Sequence, residues 1–158
     1  MKPVEVGVIS DTHGLVRPEA LAALRGTDLI VHAGDVGAPD VLTRLATLAP
    51  VTAVRGNNDH GPWAEALPET EVVEVAGVSL FVLHDLGRLD LDPRAAGFHA
   101  VICGHSHVPQ AAVRDGVLYL NPGSAGPRRF RLPVAVARLT VDGPRLAARI
   151  VTLTPPAP

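Results

Sequence analysis

The chain has 158 residues, 47% of them apolar and 19% charged, with a formal net charge of −2. That length and composition suit one globular domain with a sizeable core and exclude a disordered chain. The balance of charge lacks the basic footprint of a nucleic-acid binder, the lone Cys103 excludes an intramolecular disulfide, and no run reaches the ~18 apolar residues of a membrane span.

The first half alternates strand and helix. Val4–Ser10 reads as a buried strand. Pro18 opens a helix whose apolar side carries Leu21 and Leu24 before Gly26 ends it. Asp28–Ala33 is the next strand. Pro39 and Asp40 open a second helix with Leu42, Leu45 and Leu48 on one side, stopped by Pro50, and Val51–Val54 is a third strand. Such alternation predicts a mostly parallel sheet with right-handed crossovers. Trp63 falls on a loop and reads as satellite core or as the lining of a nucleobase pocket.

The second half turns to antiparallel β. Glu71–Ala76 and Val78–Leu83 form a hairpin around Gly77, Asp92-Pro93 caps and starts a short helix ending near Gly97, and Ala100–Cys103 is again a strand. Asp115-Gly116 between Ala111–Arg114 and Val117–Leu120 predicts a type I′ hairpin, and Asp142-Gly143 between Pro133–Val141 and Arg145–Leu153 predicts another. Two sheets packed face to face with helices outside use all of these elements. One domain over residues 1–153 and a disordered tail, Thr154–Pro158, complete the reading. Met1-Lys2-Pro3 runs at once into a strand, so a cytoplasmic protein is expected.

Five clusters of metal-type side chains each follow an apolar run: Asp11-Thr12-His13, Gly34-Asp35, Gly56-Asn57-Asn58-Asp59, His84 and Gly104-His105-Ser106-His107. Ligands delivered beyond strand ends collect in the crevice where open α/β sheets bind their ligands. Singly, each has a bland reading: His13 a loop residue, Gly34-Asp35 and Gly56-Asn57 turns, His84 a core histidine. His105 and His107 are two apart, so they share a site only on a bent loop, which Gly104 and Ser106 permit. Together the set offers two carboxylates, four imidazoles and an amide. That donor set suits Mn²⁺, Zn²⁺, Fe or Ni²⁺ and not Ca²⁺ or a thiolate-rich structural zinc site. Seven ligands exceed the needs of one ion and fit two, at ~3.5–4 Å with one bridging carboxylate.

This ordered set resembles the calcineurin-like metallophosphoesterase superfamily, whose blocks run Asp-x-His, Gly-Asp, Gly-Asn-His-Asp/Glu, His and Gly-His-x-His. Val54-Arg55-Gly56-Asn57 and Asn121-Pro122-Gly123-Ser124 look like its small bacterial and archaeal phosphodiesterase subgroup. The resemblance implies a four-layer α/β/β/α sandwich of two mixed sheets with flanking helices. It implies one ion held by Asp11, His13, Asp35 and His107 and another by Asp35, Asn57, His84 and His105, with Asp35 bridging. It implies a phosphodiesterase that cleaves a small phosphate ester by in-line attack of a metal-bridging hydroxide, with Asp35, Asn57, Asn58 and His105 at the chemistry. The two divalent ions would be Mn²⁺ first, with Ni²⁺, Zn²⁺ or Fe as alternatives. Neither nucleic acid nor membrane is an expected partner, and family members often form dimers or tetramers.

The chain departs from the family pattern twice. Asn58 stands where a His commonly follows the Asn, so it can donate an amide hydrogen bond to a phosphoryl oxygen but cannot supply a proton. Asp85 stands where Gly often follows the His, and reads as solvent-facing before it reads as a partner to a ligand. His60 is the neighbouring imidazole that would stand in as an acid, His32 is expected in a structural hydrogen bond, and His99 at a strand edge. Cys103 is expected to be buried and inert, and Asp59 to anchor its loop. Arg128-Arg129-Phe130-Arg131 reads first as a solvated loop and second as a docking site for an anionic substrate. The competing functions are a phosphomonoesterase and a non-catalytic scaffold on the same fold.

Overall fold

Strands whose side chains alternate between two buried faces set the architecture. The computed structural model describes residues 2–153, so the expected disordered tail lies outside the described residues. In chain order the elements are β1 (Val4–Ile9), α1 (Pro18–Ala23), β2 (Leu29–His32), α2 (Pro39–Ala46), β3 (Val51–Ala53), α3 (Pro62–Glu65), β4 (Thr70–Val75), β5 (Val78–Leu83), β6 (Ala100–Ile102), β7 (Gln110–Arg114), β8 (Val117–Asn121), β9 (Ala135–Asp142) and β10 (Arg145–Thr152). The first sheet is ordered β10-β9-β1-β2-β3 and the second β4-β5-β6-β8-β7. β1, β2 and β3 run parallel, as do β5, β6 and β8, while the remaining neighbours pair antiparallel.

Period-two alternation sends Val6, Val8, Val31, Ala137 and Leu139 from the first sheet into the middle of the sandwich. There they meet Leu80, Val82, Ala100, Ile102, Leu118 and Leu120 from the second. The opposite face of the first sheet carries Ile9, Ile30 and Val136, covered by Ala20 and Leu24 of the first helical segment and by Val41 and Leu45 of α2. Trp63 packs into this outer layer from a one-turn helix, α3, where a loop was expected. The outer face of the second sheet carries Phe81, Leu83, Val101 and Cys103, covered by Leu86, Leu89, Leu91 and Phe98. This fourth layer is thin: its one helical piece is a 3₁₀ turn, Leu86–Arg88, whose start Asp85 caps by accepting from Gly87 N at 2.9 Å.

Two local expectations differ. The segment from Asp92 forms a turn and not a helix. Asp92 Oδ1 accepts from Arg94 N at 3.1 Å as a cap would, and Ala96 N reaches Asp92 O at 3.0 Å. Gly97 then turns left-handed at φ +87, which leaves too few residues to propagate a helix. The last hairpin turns on Gly143-Pro144, because Arg145 pairs with Asp142. Gly143 has φ +58, but the Pro144 ring holds φ negative, so the turn follows the II′ pattern. The type I′ expectation holds at Asp115-Gly116, with φ of +50 and +76. Among the described residues no helix is long and apolar enough to cross a membrane.

Ile102 is fully buried in the central strand of the second sheet, between the two sheets. Ile102→Ala is expected to destabilise the fold by about 2–5 kcal/mol. Urea unfolding should show a lower midpoint with an unchanged slope.

Candidate metal centre

The parallel strands deliver their polar residues at one end of the sandwich. β1 runs out into Asp11 and His13, β2 into Asp35, β3 into Asn57, β5 into His84, and β6 into His105 and His107. Each chain must turn sharply there. Asp11, His13, Asp35, His105 and His107 all have positive φ, between +48 and +70. Such conformations cost on the order of 1–3 kcal/mol each outside glycine and persist where neighbours over-determine them. The bent loop expected of His105 and His107 is one of these. Close approach also needs glycine, most directly against the two carboxylates. A Cβ on Gly56 would strike the Asp35 backbone N and Oδ1, and one on Gly104 would strike Ser10 Oγ and Asp11 Oδ2.

Two donor groups result, Asp11 with His13 and His107, and Asp11 with Asp35 and His84, each with its donor atoms within 4.8 Å of one another. His107 Nε2 and Asp11 Oδ1 are 3.3 Å apart, His84 Nε2 and Asp35 Oδ2 3.3 Å, and His13 Nε2 and Asp35 Oδ2 3.8 Å. Asp11 is common to both groups, although the resemblance gives bridging to Asp35. Asp35 Oδ2 nonetheless reaches histidines of both sides. Asp11 Oδ1, His13 Nε2, His84 Nε2 and His107 Nδ1 are buried with no hydrogen-bond partner. Buried orphans of this kind are rare unless something else satisfies them, and carboxylate oxygens with imidazole nitrogens suit a divalent ion.

The remaining expected residues line the rim. His105 is 45% exposed at its side chain, and its Nδ1 lies 3.2 Å from Asn57 Oδ1, outside both donor groups. The His84 and His105 rings stand 5.1 Å apart edge to face. Asn58 does something other than wait for a phosphoryl oxygen. Its N–H donates to Asp35 Oδ1 at 2.9 Å and its Nδ2 to Asp35 Oδ2 at 3.1 Å, clamping that carboxylate. Asp85 caps the 3₁₀ turn and lies 3.9 Å from His105 Nε2. His60 is exposed, and His99 Nδ1 accepts from Ser79 N just before β6, the central strand of the second sheet. A cleft of ≈ 500 Å³ opens beside this rim, lined by Arg55, Asn57, His84, Asp85, Arg88 and His105.

A polar frame behind the ligands holds their loops in register. Asp59 accepts from Val36 N, Gly37 N and Gly56 N at 2.8–3.2 Å, joining the second and third loops. His32 Nδ1 accepts from Gly34 N at 3.1 Å, so its Nε2–H donates to Thr12 Oγ1 at 3.0 Å, and that hydroxyl donates to Val36 O at 2.8 Å. Asn121 Nδ2 donates to Gly104 O and Ser106 Oγ, while Ser124 Oγ donates to Asp11 O. Sequence reasoning anticipated Asp59 and His32. It gave no role to Ser10, Thr12, Asn121 or Ser124, although four polar residues bordering apolar strands were the available signal.

Charge at the centre follows from burial and contact. Burial works against Asp35, but the His84 imidazole beside it and hydrogen bonds from Asn58 hold its carboxyl well below the usual range. Burial opposes the His84 proton too, yet Asp35 and Asp11 raise its pKa. His107 moves down: burial leads, opposed by Asp11 and Asp35 and aided by Arg129 and His13. Cys103 is pushed up to about 11 by burial and by Asp11 and Asp85, so the thiol stays protonated and inert.

The chain matches the calcineurin-like phosphoesterase superfamily domain over residues 4–143. A probable metallophosphoesterase of Methanothermobacter thermautotrophicus is 37% identical, with 92% of this chain and 91% of that one covered. Among solved structures, a novel archaeal phosphodiesterase superposes with a TM-score of 0.77 at 22% identity, over 94% of this chain and 100% of that one. Vps29 of Chaetomium thermophilum reaches the same TM-score at 18% identity, over 97% and 100%. At such identities the two structural likenesses speak for the fold alone.

Burial lowers the His32 pKa from 6.5 to about 3. Between those values the unfolded chain binds a proton that the folded one refuses, so stability rises with pH across the window and falls on acidification. Urea midpoints in chelator at about pH 4.5 and about pH 7 should show this fall. His32→Gln, which removes the titrating ring, should flatten it.

Proposed function

The chain belongs to the calcineurin-like phosphoesterase superfamily, and on that premise we propose that it is a binuclear metal-dependent phosphodiesterase acting on a small phosphate ester. The observation that carries this reading is the convergence of Asp11, His13, His84 and His107 beside an ionised Asp35, with buried Asp11 Oδ1, His13 Nε2 and His84 Nε2 lacking any hydrogen-bond partner. Asp11, His13, Asp35 and His107 would hold one ion, and Asp35, Asn57, His84 and His105 the other. The mixed nitrogen and oxygen donors favour Mn²⁺, with Ni²⁺, Zn²⁺ or Fe as alternatives. Bound there, the ions supply an acidified water and positive charge for the phosphoryl oxygens.

The protein's own groups are arranged for that task. His84 Nδ1–H donates to Ala33 O at 2.8 Å, which fixes the tautomer and turns Nε2 towards Asp35 and Asp11. The charge that attracts a proton to His84 attracts a cation equally well. Asn58 holds Asp35 from the side and keeps both of its oxygens ordered. Asn57 and His105 form the wall between the buried donors and the cleft, where the ester's second arm has room.

A scaffold role on this fold is the second reading, and its observation is the likeness to Vps29. The completeness of the donor set argues against it. Unpaired buried carboxylate and imidazole groups cost stability and serve no purpose in a surface that only docks.

Metal-stripped protein is expected to be inert towards bis(p-nitrophenyl) phosphate, to gain turnover with Mn²⁺, and to bind two ions per chain by elemental analysis. Asp35→Asn and His107→Ala should lose more than about a hundredfold in kcat and bind less metal. Full turnover by Asp35→Asn would sink the two-ion assignment. A folded, metal-loaded wild type without turnover would favour the scaffold.

With Asn58 in place of an acid, the leaving group departs without a proton. Rates on a series of aryl diesters should therefore fall steeply as the leaving-group pKa rises. Asn58→His should flatten that dependence, restoring part of the ~10²–10⁴-fold that general acid catalysis contributes.

A further inference from the structure

The chain has three Phe residues, and two of them, Phe81 and Phe98, pack with tilted rings 5.0 Å apart where the second sheet meets its thin outer layer. Phe130 is 92% exposed, with φ +52, at the tip of a loop between Arg129 and Arg131. A turn from Leu132 N to Arg129 O at 3.1 Å closes that loop, and Arg128 Nε donates to Leu132 O at 3.3 Å. No carboxylate of the described residues lies within 4.0 Å of the Arg128, Arg129 or Arg131 side-chain nitrogens, and all three are exposed. In a chain of net charge −2 this is a concentrated, uncompensated cationic patch.

The loop is rooted on the metal centre. Ala125 N donates to Ser10 O at 3.0 Å, and Ser124 Oγ donates to Asp11 O at 3.0 Å. Gly126 lies so close to Asp11 O and Thr12 O that no side chain fits there, and Arg17 donates to Gly126 O at 3.2 Å. Residues 127–133 therefore follow directly on a segment anchored to Asp11, and none of them lines the cleft. The charge of Arg129 is felt at His107.

We propose that residues 127–133 recognise the substrate, with the arginines gripping anionic oxygens and Phe130 stacking on an aromatic ring carried by the arm of the ester that does not leave. This rests on the phosphodiesterase reading and names its substrate class, a phosphodiester of the nucleotide kind. Guanidinium groups match phosphate oxygens in bidentate geometry. A nucleobase on an aromatic side chain gains binding without needing an enclosed pocket. An exposed aromatic tip among three guanidinium groups without a carboxylate partner offers both contacts at once.

Two substrates with one leaving group test it: thymidine 5′-(p-nitrophenyl) phosphate and methyl p-nitrophenyl phosphate, with Mn²⁺-loaded protein. Wild type should favour the thymidine ester in kcat/KM by about tenfold, carried by KM. Phe130→Ala should bring the ratio close to one, Arg129→Ala should raise KM for both esters alike, and Val113→Ala, on the exposed edge strand β7, should change neither. An unchanged ratio in Phe130→Ala overturns the proposal. If wild type hydrolyses neither ester, the catalytic reading has failed by itself. Calorimetric titration with thymidine 5′-monophosphate then decides on the loop, since weaker binding by Phe130→Ala supports it and equal binding overturns it. Sedimentation with phosphatidylserine vesicles that Phe130→Ala abolishes, beside an unchanged ester ratio, would reassign the loop to a membrane surface.

Discussion

Two carboxylates held out of water within reach of three imidazoles are the constraint on which this molecule turns. Asp11 is fully buried and Asp35 nearly so, and each faces histidine nitrogens that no other protein group satisfies. Like charges this close repel, and desolvation adds to the cost. The surrounding structure opposes both. Ser10 Oγ and His105 N donate to Asp11 Oδ2, Asn58 donates twice to Asp35, and Asp59 draws three backbone amides of the neighbouring loops together. The left-handed residues at the strand ends are the geometric side of the same compromise. They aim side chains inwards that ordinary turns would send to solvent.

Much of this was legible in the sequence because it is local. An apolar run that ends in Gly or a metal-type residue describes a buried strand reaching a crevice, and all five such runs became strands. The sheets and their central core follow from the same period. A fourth layer was expected, but not its makeup, since Leu86, Leu89, Leu91 and Phe98 have no helical or strand period and are placed by the sheet they cover. Gly143-Pro144 was missed because Asp142-Gly143 carries the stronger turn signal, and only cross-strand register reveals which pair occupies the bend. Asn58 shows a further limit. Its residue type states that it cannot donate a catalytic proton, but only the fold states that its amide is engaged with Asp35.

The centre is lopsided. His84, His107 and both carboxylates lie in the interior, whereas Asn57 and His105 hold one another at the edge of the cleft. Interior donors are set by packing and cannot easily adjust. The outer pair can separate without disturbing the core, which suits the side of the site where a substrate arrives and a product departs.

No single sheet owns this centre. Asp11, His13, Asp35 and Asn57 extend from strands of the first sheet, and His84, His105 and His107 from strands of the second. Between the sheets below them lie mainly apolar contacts, which slide more readily than directional bonds do. An ion gripped by both layers would act as a rivet across that seam. Because only the folded chain presents all the donors, ion occupancy would add to the free energy of folding in proportion to the logarithm of ion concentration over affinity. Metal supply would thus govern how long the two halves stay joined, as well as how fast the molecule works.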